Sequence, residues 1–515
     1  MGSLREQFFG RTFWFVLAGA VLAHLVAFYA LHTVFEGWIV IAIFVLVFRL
    51  AIKRLDLALL VAFAELFVGS HGHLFSFEWF SVRMAIYAAI MLAWLVLLIN
   101  KKITINLKDQ KLYPFYALGF AVVLGVTIAL ARGNVKADIF NDMNAYLFLG
   151  YLIPMLSVQW DAIKRRRLLQ TLAAGSAFIV AEVLALLYLF SHASPELEKI
   201  MYTFFRDARI AELTRVNGDI FRVFLQSEFT VVAAFLILMS ALYFLWHRRQ
   251  DRNIVGLGLI ATISTIVISL SRSFWVGAVA GSLVVFLLVL FAFRIKPLYV
   301  FKRCLLLVVF TIAGVALLWN LLAFPFPAAM GVGGFGSLLS DRATELDEAA
   351  ARSRWALVGP MMEEIKESPV MGRGFGTVVE YESADPRVQN LQGGIATTYS
   401  FEWGYLEIWL KMGFLGILAF AWIFVFYVMT LWNAAHDEES HWLGVGLLAT
   451  VMALFATHVF SPYLNHPIGL GFLIFLIPFL KTKTPQLSLA ALRERIRPKA
   501  VIDASPAISS RISTD

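Results

Sequence analysis

Hydrophobic residues occur in runs of about twenty along most of the chain, and polar connections separate one run from the next. A helix needs about 20 apolar residues to cross the hydrocarbon core of a bilayer. The pattern therefore predicts fourteen membrane-spanning helices and an all-α polytopic integral membrane protein. The predicted helices occupy residues 12–34, 37–51, 55–71, 79–99, 112–131, 143–160, 168–190, 224–246, 253–271, 273–293, 303–324, 404–431, 442–460 and 466–480.

Composition and charge agree with this pattern, because 60% of the residues are hydrophobic and only 15% are charged. Basic residues recur in alternate connections, whereas the short turns at 35–36, 72–78 and 461–465 contain no lysine or arginine. By the positive-inside rule, both termini are expected to be cytoplasmic. The net charge of +8 is thus attributed to membrane topology, since no basic stripe typical of a nucleic-acid-binding domain occurs.

Two predicted outer segments are much longer than the other connections. Residues 191–223 combine charges with apolar residues at helical spacing, which predicts one or two short amphipathic helices at the interface. The second segment is predicted to contain a helix from Asp341 to Val358 that restarts at Pro360 and ends at Ser368-Pro369. The predicted organisation is a seven-helix region at 1–190, the segment 191–223, four helices at 224–324, the large outer loop 325–403, three helices at 404–480 and a basic cytoplasmic tail at 481–515.

Charged residues inside a membrane are costly and often functional. Those within or at the ends of the predicted spans are Glu65, Arg83, Glu182, Glu228, Arg272 and Glu407. For Glu65, Arg83 and Glu182, pairing inside the protein explains the charge as well as a function does. His71 and His73 form too small a cluster to indicate a metal site.

Arg272 stands out because it lies between two serines where one predicted helix stops and the next begins on the outer side. A guanidinium there is suited to hold a phosphate or diphosphate through forked, charge-assisted hydrogen bonds. Arg215 and Arg222 lie just before the predicted helix 224–246, again on the predicted outer side, and either could supply a second cation. The alternatives are an interfacial arginine at 272 and pairing of Arg215 with Asp219 or Glu212.

Glu402 stands at the outer start of the predicted helix near Gly404, where the helix dipole favours a negative charge. It could accept a proton from a substrate hydroxyl, or it could be an ordinary helix N-terminal charge. The glycines 372, 374 and 376 lack the strand and spacing of a dinucleotide fingerprint. They are expected to let the chain turn after Pro369 and approach a ligand or a helix closely.

Taken together, these segments resemble the O-antigen ligase and O-antigen polymerase superfamily of bacterial membrane glycosyltransferases. The family's loop pattern is an arginine near a tryptophan, an amphipathic helix and P-x-x-G-x-G-x-G. Arg352/Arg354-Trp355 and residues 369–376 match it. A following motif, H-N-x-Y-L and then G-x-x-G, is similar to residues 402–406 and 413–416.

Two earlier motifs complete the resemblance. Ser271-Arg272 resembles the family's S-R step between two helices, and residues 215–218 resemble its R-x-x-G segment. The four motifs occur in the family's order over about 215–416. One departure is that Glu402-Trp403 stands where the ligases have histidine and asparagine, which makes a polymerase or another glycan transferase the closer expectation.

The resemblance implies transfer of a glycan from an undecaprenyl-diphosphate carrier to an acceptor hydroxyl outside the bacterial cytoplasmic membrane. Arg272 and Arg215 would hold the diphosphate, and Glu402 would be the base. Neither a nucleotide, a metal nor another cofactor is expected. Partners would be the lipid-linked donor, a glycan, lipid or protein acceptor, and the bilayer. Residues expected to contact substrate are Arg222, Arg352, Arg354, Trp355, Gly372, Gly374, Gly376, Tyr399 and Tyr405.

Two other classes of protein fit parts of the sequence. A lipid-linked oligosaccharide flippase or another transporter would also have many helices and intramembrane charges, although such proteins usually show repeats and helices broken at mid-membrane. No such repeat is visible here. A scaffold subunit of an envelope complex is the third alternative, with the large outer loop as a docking surface.

Overall fold

The structure is a computed structural model, and it describes residues 3–217, 220–326, 349–383, 393–437 and 440–482. Its described residues up to Lys481 form one compact, mostly helical unit. The helices are α1 (Leu4–Phe8), α2 (Arg11–Ala30), α3 (Val34–Lys53), α4 (Leu55–Val68), α5 (Val82–Ile99), α6 (Tyr113–Arg132), α7 (Lys136–Met143), α8 (Leu152–Ser157), α9 (Ala162–His192), α10 (Pro195–Asp207), α11 (Phe229–Phe244), α12 (Arg252–Ile268), α13 (Arg272–Leu287), α14 (Pro297–Leu322), α15 (Ala349–Glu367), α16 (Gly404–Ala435), α17 (His441–Thr457) and α18 (Pro467–Leu476).

Ten helices in the described ranges are long and apolar enough to cross a membrane. The expected polytopic helical class is thereby confirmed, whereas the count of fourteen is not. Some predicted spans are too short, for example α17 and α18. The span predicted at 143–160 is a 3-10 helix, Asn144–Tyr151, followed by the short α8. Pro154 contributes to this irregularity because it has no N–H to donate to the preceding turn.

The segment predicted as short amphipathic helices at 191–223 is only partly helical. Its first half forms α10, but its second half is an antiparallel hairpin of β3 (Glu212–Asn217) and β4 (Ile220–Phe224). The sequence Asn217-Gly218 is a strong hairpin signal that the helical interpretation overlooked. Because every side chain described on β4 apart from one is buried, the hairpin is anchored against the helices.

A short antiparallel hairpin of β1 (Ser76–Phe77) and β2 (Phe80–Ser81) precedes α5. The predicted large outer loop contains one described helix and a further hairpin. The predicted break at Pro360 is wrong, because α15 runs through it from Ala349 to Glu367. Proline frees the carbonyl of Ala356, which lies at an exposed position where water can satisfy it. Strands β5 (Val379–Glu382) and β6 (Ile395–Thr398) pair antiparallel. The part of the predicted helix at 341–348 lies outside the described residues.

The bundle is centred on α11, which packs against α17, α12 and α13. In its apolar window 83% of the residues are buried, compared with 17% for α14 at the periphery. Helices α13 and α17 approach closely at Gly277, where an added Cβ would lie 3.0 Å from the carbonyl oxygen of Ala453. Small residues of this kind drive helix association in a membrane, where hydrophobic burial contributes little.

Candidate functional site at the outer helix ends

The connection between α12 and α13, residues Ser269–Ser273, is a buried turn that we call the serine junction. Leu270 adopts a left-handed conformation (φ 49°), which reverses the chain without a glycine. The Ser269 hydroxyl accepts the Ser271 N–H at 3.2 Å, and the Ser271 and Ser273 hydroxyls lie 3.0 Å apart. Side-chain hydroxyls thus satisfy the polar groups at this interruption, and Arg272 is the first residue of α13.

The hairpin β3–β4 brings Arg222 to the serine junction. Its Nε donates to the carbonyl of Ser269 at 3.0 Å, and its guanidinium lies 4.8 Å from the Phe224 ring centroid. Arg222 therefore contacts the residue three positions before Arg272. The structure thus places Arg222 against the turn that leads to Arg272, about fifty residues further along the chain.

Arg215 lies on the other face of the same hairpin. In the strand register it is opposite Phe221, and its guanidinium lies 5.0 Å from that ring centroid. Its Nη2 is 3.4 Å from a carboxylate oxygen of Glu198 on α10. Adjacent residues of a strand point to opposite faces, so Arg215 and Arg222 diverge. The acid expected to pair with Arg215 was Glu212 or Asp219, but the structure shows Glu198.

Glu402 is held against α15 just before α16 begins. Its carboxylate forms an ion pair with Arg354. The Trp403 Nε1 donates to the Arg354 carbonyl at 2.8 Å, and the Trp355 and Trp403 rings lie 4.8 Å apart. Arg352 is exposed on the same helix. Two separate sequence motifs, the arginine–tryptophan pair and Glu402-Trp403, are therefore in direct contact.

The turn between α17 and α18, His458–His466, contacts both the serine junction and the Glu402 segment. We call it the last outer turn, after the side of the membrane on which the sequence predicts it. The ring of its Phe460 lies 5.6 Å from that of Trp403. Its Ser461 hydroxyl donates to the Ser273 hydroxyl at 3.0 Å. Adjacent residues of one turn thus contact the Glu402 segment and the serine junction. Sequence reasoning did not identify this turn as part of the site.

Tyr405 also contacts the last outer turn. Its hydroxyl donates to the Phe455 carbonyl at 2.9 Å, and its ring lies 4.8 Å from that of His458. The Tyr405 hydroxyl, for which the sequence predicts a substrate contact, therefore has a partner within the protein.

The glycine-rich loop, Pro369–Gly376, fills an interruption in α16 at Gly413 (φ 65°). The Phe414 N–H donates to the Pro369 carbonyl at 3.0 Å, and the Arg373 N–H donates to the Leu410 carbonyl at 2.6 Å. The backbone of the loop thus replaces the missing helical bonds. This arrangement agrees with the expectation that the loop approaches a helix closely.

Each glycine of the loop faces a different neighbour. A Cβ at Gly372 would lie 2.5 Å from the backbone N of Gly413, and a Cβ at Gly374 would lie 2.5 Å from that of Ala129 on α6. A Cβ at Gly376 would lie 2.7 Å from the N of Ile139 on α7. Packing alone therefore requires the absence of a side chain at all three positions.

Several other charges near the ends of the predicted spans are paired with each other. Glu407 and Asp142 both form ion pairs with Lys411, and all three side chains are buried. Arg83 Nε lies 2.9 Å from a carboxylate oxygen of Glu65. The pairing interpretation is confirmed for Arg83 and Glu65. The Glu182 carboxylate is 3.4 Å from the His24 ring, and this contact is ionic only when the histidine is protonated.

Tyr399, three residues before Glu402, lines a cavity of about 480 Å³ together with residues of the N-terminal helices. Ser400 and Pro462 line it as well, so the cavity borders both the Glu402 segment and the last outer turn. Among the residues that the structure describes, no group of three or more metal-ligating side chains occurs.

One known protein family resembles part of the chain. Residues 257–421 match a family model described as O-antigen ligase. This match supports the O-antigen ligase and polymerase superfamily. The ligase domain contains the serine junction, the glycine-rich loop and Glu402, while the hairpin and the last outer turn lie outside it. No curated protein and no solved structure matches the chain.

The ten apolar helices and this match indicate a multi-pass membrane protein, and the match supports an enzymatic function of the O-antigen ligase type. Residues outside the match that contact the site include Arg222, Phe460 and Ser461. Of these three, only Arg222 carried a signal in the sequence, through its charge on the predicted outer side.

Proposed function

We propose that the protein transfers a glycan from an undecaprenyl-diphosphate carrier to an acceptor hydroxyl at the outer face of the bacterial cytoplasmic membrane. The match to the O-antigen ligase family model supports a lipid-linked glycan as donor. The observation that carries the proposal is the last outer turn, which contacts both the serine junction and Trp403. This turn therefore packs against both the serine junction, which leads to Arg272, and the segment that carries Glu402.

Arg272 and Arg222 are the proposed diphosphate ligands. A guanidinium presents several N–H donors in a fixed fork, which matches the oxygens of a diphosphate. As the bond to the sugar breaks, negative charge grows on the leaving group, and fixed cations stabilise it. Arg215 remains a candidate for the second cation, although its contact with Glu198 and its position on the opposite face favour Arg222.

Glu402 is the proposed general base. It would take the proton of the acceptor hydroxyl as that oxygen forms a bond to the anomeric carbon of the donor sugar. The bond from this carbon to the diphosphate oxygen breaks, and lipid diphosphate leaves with the electron pair. Arg354, paired with Glu402, would fix the orientation of the carboxylate. No nucleotide or metal takes part in this proposal.

Sugar contacts are proposed for the outer loop. Trp355 is 57% exposed beside Trp403, and such an aromatic face can pack against the C–H groups of a sugar ring. Arg352 and Tyr399 would add polar contacts. Glutamate in place of histidine favours polymerisation of glycan units over ligation to a lipid core.

The test is release of lipid diphosphate by the purified full-length protein in detergent, supplied with a lipid-diphosphate-linked oligosaccharide and no nucleotide or divalent metal. Glu402→Gln should lower the rate at least ~100-fold, because a base contributes about 10²- to 10⁴-fold. Glu380→Gln, an exposed carboxylate on β5, is the matched control and should match wild type.

Acceptor-dependent release that Glu402→Gln abolishes and Glu380→Gln retains would support the transferase. Wild-type protein that releases nothing with any acceptor, but moves labelled lipid-linked glycan across liposomes, would replace it with the transporter.

A further inference from the structure

The cavity of about 480 Å³ beside Tyr399 is walled by two different halves of the chain. On one side are Tyr399, Ser400 and Pro462, next to the Glu402 segment and Ser461. On the other side are residues of the N-terminal half, such as Trp79 in the turn of the β1–β2 hairpin and Asn144 at the start of the 3-10 helix, which the ligase-family match does not cover. Its volume lies within the range of small-molecule sites, about 300–1,000 Å³.

The ionic groups in the wall of this cavity are paired within the protein. Arg83 is paired with Glu65. Asp142 and Glu407 share the one buried Lys411, which leaves a single negative charge in excess when both acids are ionised. The wall therefore disfavours an anionic ligand such as a phosphate or a uronate, which would also lose its hydration on entering.

The three histidines in the wall of the cavity carry no charge at neutral pH. Burial lowers the pKa of His71, and it lowers the pKa of His73 to about 4. Burial also holds the pKa of His466 well below its usual range. All three imidazoles are therefore uncharged at pH 7, and each offers one donor and one acceptor.

What remains in the wall is uncharged hydrogen-bonding capacity beside an aromatic face. The amides of Asn141 and Asn144 can donate and accept, as can the hydroxyls of Ser81 and Tyr399. The Trp79 side chain is 70% exposed. Hydroxyl-rich rings with one apolar face need both kinds of contact, since each buried hydroxyl must be hydrogen-bonded.

We infer that this cavity binds uncharged sugar rings of the acceptor glycan. The acceptor is the choice because the cavity adjoins the Glu402 segment, while neither Arg222 nor Arg272 lies in its wall. This assignment to the acceptor rests on the proposed transferase, whereas the affinity for neutral sugars does not. The ring seated here would present its hydroxyl toward Glu402 across Tyr399 and Ser400.

The first experiment measures binding alone. Full-length protein in detergent is titrated with methyl glycosides of glucose, galactose, rhamnose and N-acetylglucosamine, with glucuronate and inorganic phosphate as charged probes, and binding is followed by saturation-transfer NMR. We expect at least one neutral glycoside to bind, with a loss of at least ~10-fold in Asn144→Leu and in Trp79→Ala. Trp38→Ala, on a tryptophan of α3 that is 68% exposed, is the matched control and should bind as wild type.

Melting temperatures of the variants in the same detergent show whether they fold. If no neutral glycoside binds the wild type, or if glucuronate and phosphate bind better than all of them, the inference is overturned. It is also overturned if folded Asn144→Leu and Trp79→Ala bind glycosides as tightly as Trp38→Ala does.

The second experiment separates the acceptor assignment from the transferase itself. In the release assay, the two cavity variants should raise the KM for acceptor about 10-fold and leave the KM for the lipid-linked donor unchanged. A rise in the donor KM instead would overturn the acceptor assignment. Sugar binding that depends on Asn144 in a protein without any transfer activity would reject the proposed function and leave a sugar site of another kind.

Discussion

Two interruptions in membrane helices, the serine junction and Gly413, differ in the groups that satisfy their polar atoms. At the serine junction, hydroxyl groups and the Arg222 guanidinium satisfy the polar groups of the turn. At Gly413, the backbone of the glycine-rich loop does so, through bonds such as the one from Arg373 N–H to the Leu410 carbonyl. Non-helical backbone at membrane depth is tolerated only where protein or a water-filled cavity surrounds it.

The difference shows which family motif can meet a ligand. The first interruption has Arg272 at the start of the following helix, and a second arginine, Arg222, contacts the turn before it. The second is filled by packed backbone, and space for any side chain is lacking. The glycine-rich loop of this chain therefore serves packing. The serine–arginine step at residues 271–272 is the better candidate for chemistry.

The largest effect on turnover is expected at the first interruption. Arg272→Ala should reduce release of lipid diphosphate by at least ~100-fold, because removal of one preorganised donor costs about 10²- to 10³-fold. Arg272→Lys should recover only part of the rate, since an ammonium cannot form the fork. The readout is kcat in the detergent assay, with Arg132→Ala at the exposed end of α6 as control.

If Arg272→Ala protein melts at the wild-type temperature and its kcat is within about 3-fold of wild type, the serine junction has no role in the chemistry.

The second interruption should respond through folding instead. Gly374→Ala places a Cβ 2.5 Å from the backbone of Ala129, at a φ of 88° that side chains rarely adopt. We expect a clearly lower melting temperature and less protein in the membrane, with overpacking alone costing about 1–3 kcal/mol. Gly359→Ala is the matched control, because a Cβ there meets nothing within 4 Å on the same outer loop.

The activity per folded molecule should survive in Gly374→Ala. A variant that folds normally and yet loses turnover would instead indicate that this glycine touches substrate.

The two faces of the hairpin provide a sharper comparison. Arg222→Ala should lower kcat about 10- to 100-fold, which corresponds to the loss of one hydrogen bond to a charged group. Arg215→Ala should have a smaller effect, because its contacts are Glu198 and Phe221 on the opposite face. A larger loss in Arg215→Ala would restore Arg215 as the second diphosphate ligand and exclude Arg222 from that role.

The smallest effect is expected where the last outer turn meets the serine junction. Ser461→Ala removes one hydroxyl–hydroxyl bond, worth about 1 kcal/mol or about 5-fold in rate. A double-mutant cycle with Ser273→Ala should show that the two losses are not additive. Thr311→Ala, a hydroxyl on an exposed face of α14, serves as the control. Fully additive losses in the double mutant would mean that the Ser461–Ser273 contact does not position the serine junction.

The parts of the site that the sequence predicted are those whose chemistry is local. Arg272 and Glu402 were recognisable because each combines a charge with a helix end, and this needs only neighbouring residues. Likewise, hydropathy alone located the apolar helices, although it could not separate true spans from short or irregular ones such as Asn144–Tyr151.

The parts that were missed depend on distant pairing. Ser461 and Ser273 are 188 residues apart, and nothing in a serine indicates which hydroxyl it will meet. Lys411 likewise lies 269 residues from Asp142, and its charge is tolerated only because both acids surround it. The hairpin at 212–224 was missed for a different reason, because its apolar residues fit a helical period as well as a strand period.

The last outer turn follows the other parts of the candidate site along the chain, and this order has a consequence for biosynthesis. A nascent chain that has reached Ala435 already contains Arg222, Arg272 and Glu402, but it lacks Phe460 and Ser461, which contact the Glu402 segment and the serine junction. The ribosome must still deliver α17, and the translocation machinery must insert it, before this support exists. The candidate site is thus completed only after α17, and a product terminated before the turn would carry the charged groups without their alignment.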